Sequence, residues 1–533
     1  MLTQGAVTVG GLRGSLAYDG LGVRYVDRML PARGVGGTGK FSRTAWRFHV
    51  ERGAVGRLDM TRARVDIATG PGAKEVSVDA SVRGPLAEGL AVARTIPGGV
   101  SATLPADVTG AMDARLRLDV PLDGPAVPKD VRLSADLRDV AVPAVFRGQP
   151  LAGGRFAREF RDGAAELTGQ GTVAGAPVTV AWNEGARVRG GLRRRVQVTS
   201  RVDPAARAAL GFELRPWVDG PIDLTADVQL DGTRGGVDLR ANLTPATVAM
   251  GVIGKAAGEP GSAAAHLDLS GDAMTAVRGF SYTGGGVQLG ARATRAAGDG
   301  GWRTVDVTGT IAAADATRSP AHVTLALRQA SPGYTVAGTA DDAAVLFRSL
   351  GERADARGGR LRYTGTATPG DAGVVVDGHL ELIDFTVLRA PILARVATLG
   401  SVAGLASALQ GGGMKIAKLD ADVRHAGTVF TIANGVASAS SMAVLAAGTA
   451  DHASRALAFK GTLVPSYYGI NTGAARVPGL QAIVGGRSEG LQAFDFRVSG
   501  TLDDPSVSVD PLTALAPGIL RDVVRKLPGF GRD

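Results

Sequence analysis

Apolar and charged residues alternate at every second position in this chain, and the pattern recurs about every ten residues. Val131, Leu133, Ala135 and Leu137 fall on one side of an extended backbone, and Arg132, Ser134, Asp136 and Arg138 on the other. Ile222, Leu224, Ala226, Val228 and Leu230 alternate in the same way with Asp223, Thr225, Asp227 and Gln229. Residues 237–243, with Leu239, and 265–269, with Leu267, repeat the device. Successive side chains of a strand point to opposite faces, so the pattern predicts sheet with one dry and one wet side. Gly, Asp and Pro between the runs predict short turns, and strands joined by short turns are antiparallel.

Composition fits that reading. The 77 glycines are spread among strand-like runs, which suits many turns better than one disordered tail. A length of 533 residues suggests about three or four domains, but a sheet that grows by repetition escapes that rule. Three segments are expected: an N-terminal β segment (1–125), central sheet repeats (126–330) and a C-terminal module (331–533).

In the first segment, 56–67, 76–82 and 114–120 read as strands. Gly84-Pro85 opens a short helix with Leu86 and Leu90 on one face. In the last, 341–350 reads as a helix with Asp341 as N-cap and Gly351 as C-cap. Residues 374–387 read as strand broken by a turn at Asp377-Gly378, with Leu380 and Leu382 on its apolar side. Pro391 opens a helix to residue 409 whose stripe is Ile392, Val396, Leu399 and Val402. Phe494, Phe496 and Val498 face away from Asp495, Arg497 and Ser499. A terminal helix, 517–527, gathers Ile519, Leu520, Val523 and Val524. Residues 390–409 contain Arg395, Gly400 and Gly404 and read as a buried or interfacial helix, not a membrane span.

A net charge of +9 raises nucleic acid or an anionic membrane as partners. The densest basic cluster, Arg193 to Arg195 with Arg187 and Arg189 nearby, has no interleaved aromatic and so no base-stacking groove. It reads as a solvated strand edge or turn. The absence of cysteine excludes disulfides, cysteine zinc sites and thiol catalysis, and fits an extracytoplasmic protein. The opening LTQGAVTVGG after Met1 has neither a charged nor an apolar leader region. The chain reads as starting within a sheet, with an anchor expected upstream.

Catalytic motifs fail on context. Residues 34–40 nearly spell a P-loop, but Phe41 stands where magnesium needs Ser or Thr, so they read as a glycine loop between strands. Gly486 to Gly490 matches G-x-S-x-G, but a strand follows Ser488 and no histidine lies beyond His452. The six histidines lack metal-ligand spacing and read as strand-surface residues. Asp503-Asp504-Pro505 and Asp510-Pro511 read as turns rather than calcium sites. No enzyme, cofactor, metal or nucleic acid is expected.

Several stretches resemble the AsmA-like family, and within it the YhdP-like branch. These are 378–409, Gly413-Met414-Lys415-Ile416, Val477-Pro478-Gly479-Leu480, Gly485-Gly486, Glu489-Gly490-Leu491, 498–505 and Leu515-Ala516-Pro517-Gly518. Residues 241–246, the 258–261 turn and the 341–350 helix resemble that branch's upstream domain, DUF3971. The last third matches most specifically. The resemblance implies a long curved antiparallel sheet forming a taco-like apolar trough. It also implies an inner-membrane anchor, a periplasmic body in a Gram-negative cell, and passage of phospholipid toward the outer membrane. The expected groove lining is Leu133, Leu137, Ile222, Leu224, Val228, Leu230, Leu239, Leu267, Leu380, Leu382, Phe494, Phe496 and Val498. The helices 391–409 and 517–527 read either as core elements that plug the open end of the sheet and cover its edge strands or as elements that gate the groove or dock on a membrane or partner protein. Partners would be acyl chains and the two membranes or their proteins. The alternative reading is a scaffold that offers a sheet edge to outer-membrane protein strands.

Overall fold

The computed structural model describes residues 11–510 apart from 25–29, 71–73, 96–106, 124–127, 162, 186–193, 232–233, 252, 271–272, 297–300, 314–318, 350–355, 372, 389–412, 441, 466–493 and 502–503. Its strands begin with β1 (Arg13–Val23), β2 (Ala32–Ser42), β3 (Ala45–Val55), β4 (Leu58–Ala68) and β5 (Glu75–Pro85), followed by helix α1 (Leu86–Thr95). Next come β6 (Thr109–Pro121), β7 (Lys129–Phe146), β8 (Gln149–Arg161), β9 (Ala164–Val173), β10 (Ala176–Glu184), β11 (Arg194–Val202) and helix α2 (Pro204–Ala209). Then follow β12 (Val218–Asp219), β13 (Ile222–Asp231), β14 (Arg234–Asn242), β15 (Thr247–Met250), β16 (Ile253–Lys255) and β17 (Gly261–Ser270). The remainder is β18 (Ala273–Gly284), β19 (Val287–Arg295), β20 (Trp302–Ile311), β21 (Ala321–Ala330), β22 (Gly333–Ala340), helix α3 (Ala343–Ser349), β23 (Ala356–Gly370) and β24 (Gly373–Val387). It ends with β25 (Met414–Ala426), β26 (Val429–Ala439), β27 (Met442–Asp451), β28 (Ala456–Pro465), β29 (Phe494–Thr501) and β30 (Pro505–Asp510).

The protein is mostly β, and 27 of these strands make long antiparallel sheet. The chain divides into two compact units, one of residues 1–247 with 262–274, the other of 248–261 with 275–533. Within each unit the sheet is a meander. In the first, β1 to β11 pair in order, then β11 with β13, β13 with β14 and β14 with β17. In the second, β18 to β30 pair strictly in order. Tight turns set this order. Arg147-Gly148, Ala174-Gly175 and Gly285-Gly286 each have both φ values positive, the hairpin turn whose twist matches that of the strands it joins.

Residues opposite each other in an antiparallel pair share a side, so the registers can be followed from strand to strand as rows. In the first unit one row runs Met112, Leu137, Phe156, Gly169, Val180, Val198, Ala226, Leu239, Ala265. In the second a row runs Leu361, Leu382, Leu419, Ala437, Val444, Leu463, Phe494. The opposite side carries ladders of ions. Asp66 sits between Arg47 and Arg64 at 2.6 Å each, and Asp79 between Arg115 at 2.7 Å and Arg117 at 3.0 Å.

The helices close one margin of the dry side. Leu86 and Leu90 of α1 join a cluster with Val108, Val140, Val142 and Leu151. Helix α2 is capped by Asp203, whose carboxylate accepts from the Ala206 amide at 2.8 Å, and Ala206 packs on Ala176 and Val202. Val142, Leu151, Val173 and Ala176 are successive partners, so both helices lie along the same margin. In the second unit Ala343 of α3 joins Phe385, Met414 and Ile416.

Three expectations change. Residues 34–40 lie inside β2 and are not a loop; two register shifts absorb Gly36, and a Cβ on Gly37 would stand 2.0 Å from the His49 carbonyl oxygen. Asp377-Gly378 is no turn, because β24 runs through it. Gly378 faces Gly365 across the ladder, and the two leave room for the Tyr363 ring. Helix α3 begins two residues later than expected, with Asp342 rather than Asp341 accepting from the Val345 amide at 3.1 Å. Asp341 instead accepts from the His322 backbone amide at 2.6 Å. Arg194 and Arg195 open β11, part-exposed and paired with Glu184 of β10 and Asp227 of β13, while Arg187, Arg189 and Arg193 lie outside the described residues.

Gly365→Ala tests the glycine pair. Its Cβ would meet the Asp377 carbonyl oxygen at 2.3 Å and Tyr363 Oη at 2.5 Å. A loss of about 1–3 kcal/mol in urea unfolding is expected. Gly279→Ala, with open space around its Cβ, should be close to neutral.

Candidate functional site

The feature that stands out is a surface rather than a pocket: the dry side of the sheet in each unit. All eight expected lining residues of the first unit share it. Leu133 lies between Leu116 and Phe160, and Leu137 between Met112 and Phe156. Ile222 faces Val202, Leu224 faces Ala241, Val228 lies between Val196 and Val237, and Leu230 faces Gly235. Leu239 lies between Ala226 and Ala265, and Leu267 faces Val237. In the second unit Leu382, Phe494, Phe496 and Val498 form one cluster, and Leu380 shares the strand face of Leu382. Ile392, Val396, Leu399, Val402, Ile519, Leu520, Val523 and Val524 lie outside the described residues.

Exposure divides the lining. Leu137, Ile222, Leu382, Phe494, Phe496 and Val498 are buried. Leu133, Leu224, Val228, Leu230, Leu239, Leu267 and Leu380 are only half-buried. A face of partly wetted leucines with no second layer across it among the described residues is unlike an ordinary core, where such residues are covered.

The same face holds polar groups that alternation alone did not single out. Arg158 of β8 lies between Ala135 and Leu167 across the ladder and between Phe156 and Phe160 along its own strand. Trp182 follows in the same row, and Glu184 and Arg194 face each other in the next. The Nε atoms of Arg158 and Trp182 Nε1 are buried without hydrogen-bond partners. Burial lowers the pKa of Arg158, with nearby Glu184 opposing the shift. The signal was in the sequence: Arg158 is in phase with two phenylalanines.

Elsewhere the chemistry is sparse. A concavity of about 620 Å³ lies on the wet side, lined by Gln170, Thr179, Thr199, Arg201, Asp223 and Thr225 among others. Its carboxylate, Asp223, is ion-paired with Arg201 at 3.3 Å. No group of three metal-ligating side chains occurs among the described residues. Ser488 lies outside them. His266, His322 and His379 sit on the wet side beside Asp238, Asp341 and Asp422. Phe146, Phe212 and Trp217 are exposed at the β7–β8 turn and the loop after α2, with the Arg147 guanidinium over the Phe212 ring at 4.9 Å.

No protein-family model and no curated protein matches this sequence. Among the described residues no helix is long and apolar enough to cross a membrane.

His379 provides a pH test of the wet side. Hydrogen bonds to Asp422 and then Asp420 raise its pKa above the ordinary histidine value, against a smaller effect of burial. A raised folded-state pKa adds stability that is complete below the unfolded value of about 6.5 and is lost as pH climbs through the folded value. The urea midpoint of the wild type should therefore fall on going from about pH 6 to about pH 8. His379→Gln should fall less over that interval.

Proposed function

We propose that this chain is an AsmA-like protein of the YhdP-like branch that carries phospholipid between inner and outer membrane, without chemistry, in the periplasm of a Gram-negative cell. Such transport would sustain outer-membrane lipid homeostasis. The observation that supports the reading is the half-buried apolar face: rows of Leu, Val and Ala crossing many strands with no covering layer among the described residues. An acyl chain in water costs about 0.8 kcal/mol per methylene, and a continuous apolar face removes that cost at each step of a transit. Weak, repeated contact suits transport, because a tight site would trap its cargo. The ion ladders on the other side keep that face in water and leave one face for lipid.

Leu133→Asp and Leu224→Asp place a carboxylate on the face at half-buried positions, where the fold should tolerate it. Both variants should keep the circular dichroism of the wild type. Transfer of labelled phospholipid between vesicles should fall by about tenfold or more, since each acyl chain must then pass a desolvated or hydrated charge. Folded variants with full transfer would defeat the reading.

A further inference from the structure

The dry face of the first unit has two unlike margins. Helices α1 and α2 close one with apolar residues. Near the other, the rows that elsewhere hold only apolar residues contain Arg158, Trp182, Glu184 and Arg194. A charged side chain on an apolar face costs stability unless it is paired.

Arg207 shows what a buried arginine looks like when it serves the fold. It is 5% exposed, and its terminal nitrogens donate to the carbonyls of Gly220 at 2.7 Å, Val218 at 3.1 Å and Val202 at 3.4 Å. Arg158 makes no such bonds from its terminal nitrogens to the described residues; its Nε, like that of Arg207, is buried and unpartnered. Glu184, the carboxylate close enough to act on it, is already bonded to Arg194 at 3.2 Å. Two arginines against one glutamate leave this stretch net positive. Trp182 Nε1 adds a second buried donor without an acceptor. Two unused donors and a surplus positive charge suit an acceptor that is anionic, and the rows beside them suit one whose remainder is apolar.

We propose that Arg158, with Trp182 beside it, receives the phosphate of a phospholipid whose acyl chains lie along the neighbouring rows, Val198, Ala226 and Leu239 among them. This rests on the transport reading and adds a waypoint to it, a place where the headgroup is held at one margin while the tails lie on the face. Guanidinium suits phosphate because its fork of donors matches two oxygens at once. The carboxylate of Glu184 keeps the hold modest by occupying Arg194.

The test uses the full chain and three probes below their micelle concentrations: dodecyl phosphate, dodecyl maltoside and inorganic phosphate, each titrated by calorimetry. The wild type should bind dodecyl phosphate about tenfold more tightly than dodecyl maltoside, the order of one charge-assisted contact. Arg158→Met and Arg158→Gln should abolish that preference and leave dodecyl maltoside binding unchanged. Millimolar inorganic phosphate should not displace dodecyl phosphate. Because Arg158 lacks bonds in the free protein, Arg158→Met should hold or raise the melting temperature. A lowered melting temperature would make Arg158 a structural residue and end the proposal. So would a preference that survives either substitution, or a wild type with no preference. Displacement by inorganic phosphate would assign the site to the free ion instead. If neither detergent binds, the transport reading itself fails, and the waypoint with it.

Discussion

Register is the constraint on which everything else in this protein rests. In an antiparallel ladder the side to which a residue points is fixed by its partner, and a slip of one position would turn a whole strand inside out. Here each strand takes its register from the strands before and after it within its unit, so parity is handed along the meander. Save near Arg158, Glu184 and Arg194, row after row stays apolar on one side, and Asp66 and Asp79 find arginines on the other. The ion pairs are exposed and individually weak. Their value is in making the wrong register costly: a slipped β4 or β6 would bury its charges and wet its valines and leucines. Where parity must change, a bulge does it, as between Phe280 and Val277 in β18 or at Asp384, which adopts a positive φ before Phe385.

Parity also explains how much was legible in the sequence. Period two needs no tertiary information, so the strands and the faces of Leu133, Leu224, Leu239 and Leu382 followed from spacing alone. Helix α1 was equally plain, because Pro85 and the Leu86 and Leu90 pair are local signals. Glycine misled, since the same residue serves a turn and a crowded strand. Gly378 is in β24 because Gly365 and the Tyr363 ring come to lie against it, and those neighbours are set by pairing across the sheet. Adjacent Asp341 and Asp342 are interchangeable as caps until His322 claims the first. Helix α2 is six residues long and was missed, though Asp203-Pro204 carries its start. Arg158 was hidden by the habit of assigning charge to water; its phase with Phe156 and Phe160 argues the opposite.

The dry side departs from a conventional core in how it is finished. An ordinary sheet covers its apolar face with a second sheet or a layer of helices. Here the described helices number three and are short, and they lie along strand ends rather than over the middle. The densest burial is accordingly near those ends, at Leu86, Val108 and Ala206 in the first unit. Leu224, Val228 and Leu267, away from the helices, stay half-open. Burial and openness thereby fall on different parts of one surface.

Pairing between chain neighbours has a consequence for how such a protein changes over time. Apart from β11 with β13 and β14 with β17, the ladder pairs strands adjacent in sequence, so a hairpin can be gained or lost within a meander without re-pairing the rest. An inserted pair of strands preserves parity and lengthens the sheet by about 10 Å, twice the spacing between strands. Reach can therefore evolve by duplication in steps of one hairpin, each step leaving the chemistry of both faces as it was.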